Sequence, residues 1–380
     1  MARNMKDSGI EWIGMIPEGW EVCRLKNIVA CHDELRKPIS ADKRENHLKL
    51  YDYYGASGVI DTIDDYNVDG TVLLIGEDGA NLKLRNLPLI YRASGKFWVN
   101  NHAHILIVNK KYSYDYVAYL LEAGDYSNYI TGSAQPKLSQ FNLMRFPVAI
   151  PNYTEQENIS FFIHRECSKI DSILSETRSS IEEYKKLKQA VITQAVTEGT
   201  PAMFSSPHSV KLKYLISIVS GEAIRNEQLS DFGEYPVYGG GEIIGFCSQY
   251  NTSEGSLIIG RVGARCGCVT HTTCKSWATD NALIVLPTCN AKYMYYVIGH
   301  CQLNNLNTSN AQPLITSTKI KNVVVPYFSD AMQQQEIADY LDAKCAEIDG
   351  LIAKKEQLVK ELESYKKSLI YEVVTGKREV

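Results

Sequence analysis

A long internal repeat is the sequence feature that most constrains the fold of this chain. When the 380 residues are compared with themselves at an offset of 178, residues 155–199 match residues 333–377 without a gap. Gln156 then corresponds to Gln334, and Cys167 corresponds to Cys345. The stretches before these two copies also correspond, at an offset of about 184. Because repeats are folding units in their own right, the chain is predicted to read domain, helix, domain, helix.

Apolar residues recur in both copies in alternating steps of four and three. This is the heptad pattern of a coiled coil, so each copy predicts a long helix that packs on the other. Lys188 and Lys366 interrupt the pattern at equivalent places, where we expect Leu187 and Tyr365 to make the apolar contact. The alternative is two ordinary amphipathic helices, each packed on its own domain. The predicted seam consists of Ile163, Ile170, Leu174, Ile181, Tyr184, Val191, Leu341, Ile348, Ile352, Val359, Leu362 and Leu369.

Short apolar runs punctuated by Gly, Asn, Asp and Pro fill the segments outside the helices. Runs such as 71–75 and 256–259 predict strands, and one shorter helix is expected in each domain. The predicted fold class is therefore α+β, with two mixed α/β domains joined by two long helices. We place the first domain at 1–153, the first helix at 154–200, the second domain at 201–329 and the second helix at 330–380.

The formal charge of −4 is unevenly distributed along the chain. The helical segments carry −5 together and the two domains +1. Acidic residues are absent from 79–114, and Asp280 is the single one in 255–329. Such acid-depleted stretches suit contact with phosphates and base edges, although their cations could equally pair with acids elsewhere in each domain.

Composition also bears on the compartment. No run approaches the ~18 apolar residues of a membrane span, and the first thirty residues are too charged for a signal peptide. The ten cysteines are scattered and suit reduced thiols. We therefore expect a cytoplasmic protein that has no membrane partner.

Motifs for catalysis are missing from both halves of the sequence. Neither Gly-x-x-Gly turn continues into a phosphate loop, and no methyltransferase or nuclease signature occurs. The nearest approach to a metal site is Cys266, Cys268, His271 and Cys274, which could be zinc ligands or buried free thiols. We predict no catalytic residue and no metal, and leave the role of these four residues open.

Several motifs occur in a specific order along the whole chain. They are the opening stretch 16–22 (IPEGWEV) with Arg24-Leu25-Lys26, an Ala-Gln-Pro before each long helix, and the helix ends 195–199 and 373–377. In this order they resemble the specificity subunit of a type I restriction-modification system.

The resemblance implies that the domains are target recognition domains, each binding one half of a bipartite, asymmetric site in double-stranded DNA. It implies that the helices form an antiparallel coiled coil with pseudo-twofold symmetry, which spaces the domains and docks two methyltransferase subunits. Endonuclease-translocase subunits would join afterwards. S-adenosylmethionine, ATP and Mg²⁺ would belong to these partners, and no cofactor to this chain.

Candidate DNA-binding residues follow from the acid-depleted stretches and from the polar residues around them. The alternatives to a specificity subunit are a nuclease with duplicated domains and a coiled-coil scaffold that binds no DNA. The foremost candidates are Asn81, Lys83, Arg85, Arg261 and Arg265. The further candidates are Tyr54, Ser57, Gln135, Lys137, Tyr238, Gln312 and Lys319.

Overall fold

The computed structural model describes residues 3–44, 50–201, 203, 206–306 and 313–380. The chain forms two compact units. The first consists of Met1–Glu176 with Leu358–Val380, and the second of Thr177–Gln357. Each unit therefore contains one domain together with part of both long helices.

Strands and helices alternate through both domains. The strands are β1 (Met5–Asp7), β2 (Met15–Pro17), β3 (Glu21–Arg24), β4 (Val29–Cys31), β5 (Tyr51–Gly55), β6 (Gly58–Ile63), β7 (Val68–Gly76), β8 (Ile90–Val99), β9 (Ala103–Val108), β10 (Pro147–Ile150), β11 (His208–Lys211), β12 (Ile216–Ser220), β13 (Tyr235–Gly239), β14 (Glu242–Cys247), β15 (Leu257–Gly260), β16 (Val269–His271), β17 (Trp277–Ala278), β18 (Ala282–Pro287) and β19 (Val324–Tyr327). The α-helices are α1 (Ala41–Arg44), α2 (Asn81–Leu84), α3 (Tyr114–Ala123), α4 (Gln140–Met144), α5 (Tyr153–Glu198), α6 (Ala291–His300), α7 (Ser317–Lys321) and α8 (Ala331–Val374).

The first unit is built on a six-stranded sheet in the order β4-β9-β7-β8-β5-β6. The interior strand β7 pairs antiparallel with both β8 and β9. Leu73 and Ile75 face one apolar core, whereas Val72 and Leu74 face another. A strand that is covered on both faces reads as a continuous apolar run, which is why this segment lacks polar alternation. The strand ends at Gly76, where the candidate interface begins.

The second unit repeats this arrangement with two smaller sheets, β12-β18-β15-β16 and β14-β13-β17. The interior strand β15 pairs antiparallel with β18 and β16. β13 pairs in parallel with β17 at Val237 and Trp277, as β5 pairs in parallel with β8 at Tyr53 and Trp98. The predicted α+β class with an internal repeat is confirmed.

Within each unit the long helices pack antiparallel. In the first unit, Ile163 near the start of α5 shares a core with Leu369 near the end of α8. In the second, Val196 near the end of α5 packs with Leu341 near the start of α8. The predicted antiparallel pairing is confirmed. Seven of the predicted seam residues are buried and five are partly buried, the latter being Tyr184, Val191, Ile352, Val359 and Leu362.

Two equivalent ion pairs join the helices at the lysines that interrupt the heptads. Lys188 Nζ lies 2.6 Å from Asp349 Oδ2, and Lys366 Nζ lies 2.6 Å from Asp171 Oδ1. Asp171 is the repeat equivalent of Asp349, as Lys188 is of Lys366. Each helix therefore supplies one cation and one anion to its partner.

The expectation that Leu187 and Tyr365 replace these lysines in the seam was wrong. Their exposed fractions are 48% and 50%. Because the lysines reach the aspartates of the facing helix, they occupy the contact themselves and the neighbouring apolar side chains remain on the surface.

A buried glutamine anchors the start of each long helix. Gln156 Oε1 accepts a hydrogen bond from the backbone N–H of Ser113 (2.8 Å), and its Nε2 donates to the carbonyl of Pro151 (2.8 Å). Gln334 accepts in the same way from the backbone N–H of Asn290 (3.1 Å). Ser113 and Asn290 are the N-caps of α3 and α6. Each glutamine thus ties a long helix to the short helix of its own domain.

Candidate nucleic-acid interface

The loop after β7, residues 77–80, is held in place by main-chain hydrogen bonds. Glu77 N donates to the carbonyl of His102 (2.8 Å), and Glu77 O accepts from Leu138 N (2.7 Å). Gly79 N donates to the carbonyl of Pro136 (3.1 Å). We call residues 77–80 the strand-end loop of the first domain. These three bonds join main-chain atoms only.

The second domain forms the same bonds in the loop after β15, residues 261–264. Arg261 N donates to the carbonyl of Asn281 (3.0 Å), and Arg261 O accepts from Ile315 N (3.0 Å). Gly263 N donates to the carbonyl of Pro313 (3.3 Å). This is the strand-end loop of the second domain. Prolines of the two Ala-Gln-Pro motifs therefore accept equivalent bonds through their carbonyls.

A β-hairpin packs against the last residue of each central strand. A Cβ added at Gly76 would lie 2.7 Å from the carbonyl oxygen of Ala56, and one at Gly260 would lie 2.3 Å from that of Gly240. Ala56 and Gly240 lie in the β5–β6 and β13–β14 turns. Only glycine permits this approach of two backbones. The contact brings each hairpin turn next to its strand-end loop.

The strand-end loop of the first domain carries a network of charged side chains. The carboxylate of Glu77 is 2.5 Å from Arg36 Nη1 and 3.1 Å from Lys137 Nζ. Burial would raise the pKa of Glu77, but the hydrogen bonds from Arg36 and Lys137 outweigh it and hold that pKa below its usual range. Glu77 is therefore ionised, and it fixes two cations at the end of β7.

A second carboxylate continues this network. Arg36 Nη2 lies 3.2 Å from Asp33, whose Oδ2 is 2.6 Å from Nδ1 of the buried His104. Nε2 of His104 lies 2.8 Å from the carbonyl of Leu138, in the segment that bonds Glu77. Sequence reasoning missed Arg36, Glu77 and Asp33. The one signal available was that Glu77 and Arg261 are equivalent in the repeat yet opposite in charge.

Of the foremost candidates in the first domain, two have structural partners. Asn81 accepts from Leu87 N (2.9 Å) and donates to the carbonyl of Pro88 (3.2 Å), so it shapes the loop after α2. Arg85 Nη2 donates to the carbonyls of Gly124 (2.5 Å) and Glu122 (3.3 Å) at the end of α3.

Lys83 is exposed at the rim of a cavity of about 220 Å³, which Arg85 also lines. The two residues therefore line the same cavity. A DNA contact by Asn81, Lys83 or Arg85 remains a prediction.

The two arginines of the second domain differ in their surroundings. Arg265 is exposed and its Nη1 lies 2.8 Å from Glu242 Oε1, at the hairpin. Arg261 is half-buried, and within the described part of the chain no ion pair joins it to a carboxylate. The geometry thus gathers Arg261, Arg265 and the β13–β14 hairpin around one loop.

The remaining candidates are dispersed. Tyr54 is half-buried against Phe97, and burial raises its pKa. Tyr238 is 8% exposed and belongs to a small apolar core, so most of its surface is used in packing.

Three further candidates are polar and reach the surface to differing degrees. Ser57 and Gln135 are exposed in loops. Lys319 Nζ donates to the carbonyl of Leu306 (3.1 Å). Gln312 lies outside the described residues. Contact of any of these candidates with DNA stays a prediction.

Within the described residues, Cys266, Cys268, His271 and Cys274 do not supply three ligand atoms close enough to share a metal ion. Among the residues that the structure describes, one group of three lies close enough to share an ion, namely Cys31, Asp33 and His104. Burial, followed by the charge of Asp33, raises the pKa of Cys31 to about 12, so its thiol stays protonated. Arg36 already neutralises Asp33. These side chains fit a hydrogen-bonded network better than a cation site.

In the described part of the chain, no helix has the length and apolar character needed to cross a bilayer.

Comparison with known proteins gives matches in both halves. Residues 17–183 and 208–361 match the family described as type I restriction modification DNA specificity domain. The chain is 31% identical over 124 residues to a putative type I restriction enzyme specificity subunit, S.HindORF215P, of Haemophilus influenzae (33% of this chain, 31% of the relative). It is 29% identical over 110 residues to the type I restriction enzyme EcoprrI specificity subunit of Escherichia coli (28% and 27%). The matched part spans less than a third of either relative.

A solved structure shares the fold across the whole chain. It comes from work on the structural basis of complex assembly and conformational transition of the type I R-M system. It is 12% identical, covers 96% of this chain and 99% of its own, and has a TM-score of 0.73. Since the family matches cover most of both domains and of both long helices, the chain belongs to the type I restriction modification DNA specificity domain family.

Proposed function

We propose that this chain is the specificity subunit of a type I restriction-modification enzyme and reads a bipartite, asymmetric site in double-stranded DNA. Each domain would read one half of the site. The observation that carries this proposal is the pair of strand-end loops, which share their main-chain hydrogen bonds but present Glu77 in one domain and Arg261 in the other. Equivalent backbones with different charged side chains suit two unlike half-sites.

The long helices would set the distance between the half-sites and dock two methyltransferase subunits. α5 has 46 residues and α8 has 44, so each is a rod of about 65–70 Å at ~1.5 Å per residue. The helical segments carry a net charge of −5, which favours a protein partner over DNA along their length. Endonuclease-translocase subunits would complete the enzyme.

The chain itself would be non-catalytic and would hold no cofactor. S-adenosylmethionine, ATP and Mg²⁺ would be bound by the partner subunits, all in the cytoplasm. A duplicated nuclease would need matching carboxylates in both domains, and the equivalence of Glu77 with Arg261 speaks against it.

Genome-wide mapping of methylated adenines tests the proposal directly. Cells would express this chain together with its methyltransferase subunit, and control cells the methyltransferase alone. We expect a bipartite motif that appears only when both are present. Replacing one domain by that of a relative should change one half of the motif and preserve the other. Absence of any motif, in a complex that assembles, would contradict the proposal and favour the scaffold reading.

A further inference from the structure

Three positions around the strand-end loops are equivalent in backbone but differ in side chain. Glu77 corresponds to Arg261 through the hydrogen bonds described above. Lys137 corresponds to Leu314, because the bridge between Asp78 and Lys137 recurs between Val262 and Leu314.

Arg36 corresponds to Gly221 by a similar argument. Trp98 Nε1 donates to the carbonyl of the next residue, Lys37 (2.6 Å), and Trp277 Nε1 donates to that of Glu222 (3.0 Å). A side chain at Gly221 would begin 2.2 Å from the carbonyl oxygen of Thr279, so no arginine can stand there.

At these three positions the two domains arrange their charges differently, although each set sums to one positive charge. In the first, Arg36, Glu77 and Lys137 together carry one net positive charge, and both cations touch the carboxylate. In the second, Gly221, Arg261 and Leu314 carry one positive charge, on a guanidinium that pairs with no carboxylate among the residues that the structure describes. The side chain of Lys137 is 55% exposed.

These arrangements differ in what they can recognise. A guanidinium is a planar fork of donors, and it can bond O6 and N7 of guanine together. A lysine ammonium that is held by a carboxylate is a point charge, which suits a phosphate oxygen. Glu77 is itself occupied by two cations and has little capacity left to accept from a base.

We propose that Arg261 reads a guanine in the half-site of the second domain, whereas Glu77 is a positioning residue that holds Lys137 against a DNA phosphate in the other half-site. The inference rests on the proposed function of the chain. It assigns base reading and backbone contact to equivalent places in the two domains.

Methylation mapping with the assembled methyltransferase separates the two roles. For Arg261→Ala we expect one guanine position of one half-site to relax, with about 5- to 150-fold loss of discrimination, and the other half-site to stay unchanged. Arg261→Lys removes the fork but keeps the charge, and it should relax the same position less. Lys213→Ala, an exposed lysine of the same domain, is the matched control. Thermal unfolding of each complex shows whether a variant is folded.

Salt dependence tests the first domain. For Lys137→Ala we expect an unchanged motif and a slope of log affinity against log salt that is shallower by about 0.9. Glu77→Gln should weaken DNA binding with the same motif, because Lys137 loses its anchor. Lys6→Ala is the control, an exposed lysine of the first domain that lies outside this network and outside the acid-depleted stretch.

The outcomes distinguish this inference from the proposed function. If the wild-type complex yields no bipartite motif, the proposed function itself fails. If it yields one but the folded Arg261→Ala and Arg261→Lys complexes keep the same motif, the assignment of Arg261 is overturned. A changed base preference in Glu77→Gln or Lys137→Ala, or an unaltered salt slope in Lys137→Ala, overturns the role given to the first domain.

Discussion

Replacing Gln156 by alanine should weaken the attachment of α5 to the first domain. The side chain is 1% exposed, and its two hydrogen bonds go to Ser113 N and Pro151 O, both in buried residues. Gln156→Ala leaves one buried donor and one buried acceptor without partners, at about 1–3 kcal/mol each. Allowing for partial access of water, we expect the free energy of unfolding of the first unit to fall by about 2–4 kcal/mol.

Hydrogen exchange is the suitable assay for this variant. Because two compact units need not unfold together, a single global transition would be hard to interpret. The amide of Ser113 reports on the bond directly, and its exchange should accelerate by about 30-fold or more. Glu157→Ala changes an exposed neighbour on the same helix and should alter stability by less than about 0.5 kcal/mol.

The repeat supplies an internal comparison. Gln334→Ala should accelerate exchange at the amide of Asn290 in the second unit and leave Ser113 unaffected. If Gln156→Ala destabilises the chain no more than Glu157→Ala does, or if Ser113 exchanges at its wild-type rate, the anchoring role of the glutamine is refuted.

Three other perturbations follow from the contacts. Asp171→Lys should lower the urea concentration at the midpoint of unfolding, because it places two ammonium groups together. Adding Lys366→Asp should recover about 0.5–1 kcal/mol of the free energy of unfolding, and less at high salt. If the second change recovers nothing, the ion pair is contradicted. Burial tends to raise the pKa of Asp33, but the hydrogen bonds from His104 and Cys31 and the charges of His104 and Arg36 together lower that pKa below its ordinary 3.8. Asp33 therefore stabilises the fold above pH 3.8, and this stabilisation is lost as the pH falls through the lowered pKa. Acid titration of Asp33→Asn should therefore show a flatter loss than the wild type. Gly260→Ala should cost about 1–3 kcal/mol because its Cβ meets the backbone of Gly240, whereas Gly350→Ala, on an open face of α8, should stabilise by up to about 1 kcal/mol.

Elements with a local period could be predicted from the sequence, and contacts between distant residues could not. The heptads specify α5 and α8 because a helix repeats its surface every few residues. The same rule misplaced Leu187 and Tyr365, since it treats a lysine as a gap in the seam and contains no information about Asp171 or Asp349 on the facing helix.

The candidate interface shows the same limit. The glycine turns after β7 and β15 were found because their residues recur in the repeat. Glu77 was overlooked because its partner Arg36 lies 41 residues away, and no local pattern links them. Arg85 was chosen for its charge, yet its guanidinium lies on the carbonyls at the end of α3. Charge can be read from a sequence, whereas the direction of a side chain depends on tertiary contacts.

The main-chain bonding of the strand-end loops has a consequence for how such domains can change. The bonds at Glu77 and Arg261 use only peptide groups, so a substitution there leaves the loop's hydrogen bonds in place. Gly76 and Gly260, in contrast, tolerate no side chain. A carboxylate and a guanidinium can therefore occupy this position on the same loop backbone, although in the first domain the exchange would also have to remove Arg36 and Lys137, which both contact the Glu77 carboxylate. New sequence preferences would then arise by a few side-chain substitutions on an inherited backbone, independently in each half of the chain.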